Sequence, residues 1–169
     1  MNSEIGWADP ERILTEPRVG RFAGGLHYLY VEQKHMAESE VGLYTSGLVS
    51  KVMEAYLQGR KGLELPTMLT MFLDLPGEEG IYDVQIGYAF HEEVAPRGEA
   101  QVRYVEPSLC ASMVVWGTFD DVTKSYVPLL EFITAEGLKH VEGGQEWYLY
   151  WEGDESRNNV RLVQYMLEG

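Results

Sequence analysis

Apolar residues along the chain recur at two spacings, and the places where one gives way to the other predict its elements. Leu26-His27-Tyr28-Leu29-Tyr30-Val31, aromatic and β-branched, predicts a strand after the Gly24-Gly25 turn. A spacing of three and four follows. Leu48, Val49, Val52, Met53, Tyr56 and Leu57 make one apolar face of a helix that opens at Ala37-Glu38-Ser39-Glu40, and Gly59 stands where a C-cap glycine is expected. Residues 67–73 and 82–90 read as two strands joined by the hairpin loop Leu75-Pro76-Gly77-Glu78-Glu79-Gly80. Residues 1–21, with Asp9-Pro10 and Glu16-Pro17, form a lead-in with room for a short strand, and 92–98 read as a linker.

The pattern then starts again. Residues 108–118 predict a strand through Leu109, Ala111, Met113, Val114, Val115 and Trp116. Asp120-Asp121 can cap a helix, with acidic charge at its positive end. That helix carries Val122, Tyr126, Leu129, Leu130 and Ile133 and stops before Gly137; Pro128 should kink it or mark its first turn. Strands over 146–151 and 159–167 close the chain. Sliding the sequence on itself by 78 positions sets Gly137 on Gly59, Leu130 on Val52 and Val160 on Tyr82. The expected fold is α+β: one domain, 1–169, of duplicated β-α-β-β modules (22–92 and 103–168) with pseudo-twofold symmetry. Its sheets are antiparallel, its helices lie outside, and a central groove is left for a ligand.

The stretch Gln145-Glu146-Trp147-Tyr148-Leu149-Tyr150-Trp151 concentrates aromatic residues around a carboxylate. Strict alternation puts Glu146, Tyr148 and Tyr150 on one face of the strand and Trp147, Leu149 and Trp151 on the other. The repeat equates the second set with Leu69, Met71 and Leu73, apolar in both copies, which assigns it to the helix-covered core. The first set is equated with Met68, Thr70 and Phe72, so the groove should be apolar on one side and acidic-aromatic on the other. A register slip of one residue would exchange the two sets.

At 169 residues, 45% hydrophobic and 12% aromatic, the chain has the makings of one well-buried domain. A net charge of -14 without a basic cluster argues against a nucleic-acid partner and suits cationic or polar small molecules. Cys110 is the single cysteine, which excludes an internal disulfide, points to a reducing compartment and reads as a buried thiol. Without a signal peptide or a bilayer-length apolar run, the expectation is a soluble, cytoplasmic protein with no membrane partner. His27, His35, His91 and His140 lack metal-ligand spacing, and no nucleotide-binding loop or nucleophile elbow is present, so neither a metal nor a cofactor is expected.

The ordered set Trp116-Gly117-Thr118-Phe119-Asp120, Tyr126 with Leu129 and Leu130, Gly137, and Glu146-Trp147-Tyr148 resembles the second half of the GyrI-like effector-binding family. The resemblance extends over nearly the whole chain. It implies a twin-module fold with a groove for hydrophobic, often planar or cationic compounds. Regulators of this family carry a helix-turn-helix ahead of the domain, and the lead-in here is too short for one. Standalone members with the same acidic-aromatic strand hydrolyse cyclopropane-bearing genotoxins.

Carried over residue by residue, the resemblance makes Glu146 the pocket glutamate and Tyr148 its partner, with Trp147 beside them. The ligand set becomes Trp147, Tyr150, Trp116, Met68, Phe72 and Tyr88. A carboxylate desolvated among aromatics holds its proton more tightly, which suits a general base acting on water, while a phenol can donate to a developing oxyanion. Detoxification by hydrolysis, with Glu146 and Tyr148 catalytic, is the leading expectation. The alternatives are a non-catalytic drug binder or effector sensor, and a gyrase-inhibitor-like interaction protein whose acidic surface imitates DNA. Homodimerisation stays open.

Overall fold

The computed structural model describes residues 16–22, 24–57, 67–74, 79–141, 143–153 and 155–169. The predicted C-cap at Gly59 and most of the loop after residue 74 lie outside them. The element order is β1 (Arg18–Phe22), β2 (Leu26–Ala37), α1 (Glu38–Leu57), β3 (Thr67–Asp74), β4 (Ile81–Phe90), β5 (Gln101–Val105), β6 (Ser108–Trp116), α2 (Phe119–Ala135), β7 (Gly144–Tyr150) and β8 (Val160–Met166). Strand-helix-strand-strand does occur twice, as β2-α1-β3-β4 and β6-α2-β7-β8. Two further strands frame the copies. β1 occupies the lead-in, and β5 follows the stretch read as a linker, where Arg97 already bridges to Ala100.

All eight strands form one antiparallel sheet in the order β1-β6-β8-β7-β3-β4-β2-β5. The two copies therefore join edge to edge, through β3 and β7. Leu69 stands opposite Trp147 in that pairing. These are also the two residues that the 78-position shift equates, so the pseudo-twofold axis passes through this pair.

The sheet cannot be flat. β5 and β6 lie six strand spacings apart in the order, roughly 29 Å at about 4.8 Å each. Only Glu106 and Pro107 separate them in sequence, and such a link reaches roughly 11 Å. The sheet has to curl until its two ends approach. The Gly25 amide donates to the Val105 carbonyl at 2.8 Å, close to where Phe22 of β1 pairs with Ser108. The concave side holds Leu26, Tyr28, Tyr30, Leu69, Met71, Ala89, Val105 and Trp147 in one cluster, drawn from both halves of the sheet.

Both helices cover the convex side. α1 packs Val52 and Tyr56 on Leu29, Val31 and Phe90, with Leu48, Val49 and Met53 beside them. α2 packs Leu129 and Ile133 on Ala111, Met113, Val115 and Val163. Its cap is Thr118, two positions before the predicted acidic pair: the Thr118 hydroxyl accepts from the Asp121 amide, and the Asp121 carboxylate accepts from the Thr118 amide. Pro128 lies well inside the helix. Gly137 ends it with φ +67.

Gly143 and Gly137 make a stability test. Both have left-handed φ, but a Cβ on Gly143 would stand 1.9 Å from the Phe72 carbonyl oxygen, whereas one on Gly137 meets nothing within 4 Å. Gly137→Ala is expected to cost about 1–2 kcal/mol, the left-handed penalty alone. Gly143→Ala adds overpacking and should cost about 2–5 kcal/mol. Urea denaturation of the two variants reads the difference.

Candidate functional site

Cross-strand register fixes which way each candidate side chain points, because directly paired residues share a face. Glu146 pairs with Val163 and Tyr148 with Arg161. Val163 belongs to the α2 cluster, so Glu146 and Tyr148 lie on the convex, helix-covered side. Trp147, paired with Leu162, is in the concave cluster. The assignment made from alternation is thus inverted. The physical reason is that both sides of this sheet are covered, so apolar residues do not mark a single inner face.

A bulge changes the strand further. Register slips between Tyr148, opposite Arg161, and Tyr150, opposite Val160. One extra residue sends Tyr150 to the concave side with Trp116 and Val160, and brings Trp151 round beside Tyr148. Of the other candidates, Met68 and Phe72 pack beneath α1 with Val84 and Ile86, and Tyr88 packs in the cluster beneath α1 that holds Leu29 and Phe90. The eight candidates therefore divide. Trp147, Tyr150 and Trp116 are concave; Glu146, Tyr148, Met68, Phe72 and Tyr88 are convex.

On the convex side the acidic-aromatic constellation exists, and the protein's own cation fills it. Arg161 Nη1 donates to Glu146 Oε2 at 3.2 Å, with side-chain exposures of 1% and 4%. Its guanidinium carbon lies 4.3 Å from the Tyr148 ring centre and 4.5 Å from that of Trp151. Tyr126, from α2, donates its phenol to Glu146 Oε1 at 2.6 Å. Burial, then the Glu146 charge and this hydrogen bond, hold the Tyr126 phenol well above its usual value. The sequence reading missed Arg161. Its signal was a lone cation in the apolar run Val160-Arg161-Leu162-Val163, one hairpin away from Glu146.

On the concave side, beyond the bulge, Trp116, Leu149, Tyr150, Glu152, Asn158 and Val160 line a cavity of about 710 Å³. The walls are mostly apolar, and Glu152 supplies charge at the exposed rim. Its carboxylate accepts from the Tyr150 phenol at 2.6 Å, the Ser156 hydroxyl at 2.7 Å and the Asn158 amide at 3.1 Å. Those three hydrogen bonds, Tyr150's first, hold Glu152 below the usual carboxylate range. An ionised oxygen pair fixed beside two aromatic rings can attract a cation by charge and by the ring faces together. Between this cavity and Cys110, Gln164 Oε1 accepts from Gln145 and from Trp147 Nε1, at 2.6 and 2.9 Å. Cys110 is buried, as expected.

No protein-family model and no curated protein matches this sequence. Solved structures do match its architecture. The EcmrR C-terminal domain superposes with a TM-score of 0.75 at 15% identity, over 90% of this chain and 97% of that one. The chain has the GyrI-like fold. In the EcmrR–DNA complex the GyrI-like match covers 92% of this chain but only 58% of EcmrR, with a TM-score of 0.74 and 15% identity. SAV2435 bound to tetraphenylphosphonium matches with a TM-score of 0.60 at 13% identity, over 92% and 95% of the two chains. A hydrolase from Listeria innocua matches with 0.55 at 14% identity, over 90% and 92%. At these identities the likeness concerns the fold. No described helix is long and apolar enough to cross a membrane.

Two measurements test the convex site. Glu146→Gln leaves Arg161 buried without its carboxylate and should destabilise the chain by about 3–5 kcal/mol in urea. The second is a pH series. Tyr126 keeps its proton in the folded chain above 10.0, where an unfolded tyrosine ionises. Its contribution is complete below that pH and is lost as pH rises from there through the raised folded value. The urea midpoint should fall above about pH 10, and less steeply in Tyr126→Phe.

Proposed function

We propose that this domain binds hydrophobic, planar or cationic small molecules in the concave aromatic cavity. The carrying observation is Glu152, held by three hydrogen bonds at the rim of a mostly apolar cavity of about 710 Å³ whose wall includes Trp116 and Tyr150. A volume of this size suits a drug-sized ligand. The aromatic walls offer area and ring faces, and the carboxylate offers the single charge that orients a cation. That SAV2435 holds a lipophilic phosphonium on the same fold supports the reading.

Binding fits this geometry better than hydrolysis by Glu146. A general base needs a free oxygen facing water and substrate. Glu146 engages Tyr126 with one oxygen and Arg161 with the other, and it lines neither this cavity nor the one described below. Its role in this reading is to position. It fixes Arg161, which supports Tyr148 and Trp151, and Trp151 is the neighbour of both Tyr150 and Glu152. Sensing for a partner and sequestration share the same cavity.

Tetraphenylphosphonium titration by calorimetry is the test. Glu152→Gln should weaken binding about tenfold and Tyr150→Ala by a similar factor. Cation binding requires the ionised Glu152 carboxylate, whose value lies below 4.5. Affinity should therefore stay level on acidification to that point and drop only beneath it. Wild-type affinity in both variants, or no binding by the unaltered chain, would overturn the proposal.

A further inference from the structure

A second cavity, of about 310 Å³, opens at the other end of the concave trough; Met71, Arg103, Glu106, Ser108, Gln145 and Met166 are among its walls. Strand ends show the separation. Trp116 and Tyr150 are the last residues of β6 and β7, and Val160 is the first of β8. Ser108, Gln145 and Met166 lie at the opposite ends of the same three strands, with Trp147 and Leu162 packed between.

Arg103 distinguishes this end. Its guanidinium carbon lies 5.8 Å from the Tyr28 ring centre and 6.0 Å from that of Tyr30, and a terminal nitrogen touches the Met71 sulfur. Among the described residues the ion pairs are Arg161–Glu146, Lys51–Glu99 and His35–Asp83, and none includes Arg103. Its Nε is buried with no hydrogen-bond partner among the described residues. The chain holds 27 Asp and Glu against 13 Lys and Arg, so carboxylates are plentiful, yet none described is set against this arginine. Partial burial of a cation is costly without a counter-charge, and the tyrosine faces compensate only in part. The polar neighbours are otherwise committed: Ser108 donates to the Met166 sulfur and the Gln145 amide to Gln164. Glu106, exposed on the rim, opposes an incoming anion, so only a group that reaches Arg103 past it gains.

We infer that this second cavity binds a planar aromatic compound bearing a carboxylate. The carboxylate pairs with the Arg103 guanidinium, whose planar fork matches its two oxygens, and the ring lies against Met71 and Met166. This rests on none of the residues of the cation cavity, so either assignment can fail alone.

The test uses 1-naphthoate and its neutral analogue 1-naphthalenemethanol, titrated into protein with ¹³C-labelled methionine methyls. The carboxylate should bind about tenfold tighter than the alcohol. It should shift the Met71 and Met166 methyls and leave in place those of Met36, which packs against α1, and Met53, which belongs to α1. Arg103→Gln should abolish the preference for the carboxylate while keeping tetraphenylphosphonium affinity, and Arg103→Lys should retain part of it. Equal affinity for the two naphthalenes, or shifts that spare Met71 and Met166, overturns the inference, and both are read on the unaltered protein should Arg103→Gln fail to fold.

Discussion

The antiparallel pairing of β3 with β7 joins the two copies of the repeat, and most other features depend on it. It runs from Met68–Tyr148 to Phe72–Gly144 with Leu69 and Trp147 at its symmetric centre. An antiparallel join of equivalent strands generates a twofold relation, so the helices of the two copies must fall on the same side of the sheet. The short links at 23–25 and 106–107 then oblige that sheet to curl away from the helices. The trough, its two ends and the division of side chains between them follow from this one seam and two tight connections.

Charge is distributed accordingly. Beneath α2 the Glu146–Arg161 pair is buried, hydrogen-bonded to Tyr126 and flanked by rings, an arrangement in which charges fix geometry more than they add stability. In the trough the charges lie at the ends: Glu152 at one, Arg103 with Glu106 on the rim at the other. Between them the Trp147–Gln164 hydrogen bond and the packed Leu69 and Met71 fill the centre. The trough is a filled middle with two open ends, one acidic and one that sets an arginine beside a rim carboxylate.

Much of the fold was legible in the sequence, because a repeat writes its period into every strand and helix: the shift of 78 equates Leu69 with Trp147, which proved to be paired. The sides of the sheet were not. Alternation separates two faces but does not name them, and here Leu69 and Val163 are both fully buried on opposite sides. The bulge after Tyr148 is a matter of one residue and leaves no compositional mark. It moved Tyr150 into the cavity and Trp151 onto Arg161. β5, with Gln101 and Arg103 among its five residues, lacks the apolar density by which the longer strands announce themselves. Glu146 was read as a catalytic pocket carboxylate; its counter-ion, fifteen residues on, was the part that composition could not supply.

β1 precedes the first copy in sequence yet zips onto β6 of the second, Arg18 opposite Ser112. The halves defined by the gene and the halves defined by the sheet are therefore different objects. A ribosome releasing this chain exposes β1 long before its partner exists, and the first copy emerges without the strand that closes the far edge. Such long-range closure belongs to the slow end of folding. The domain is completed only once its second copy has been made.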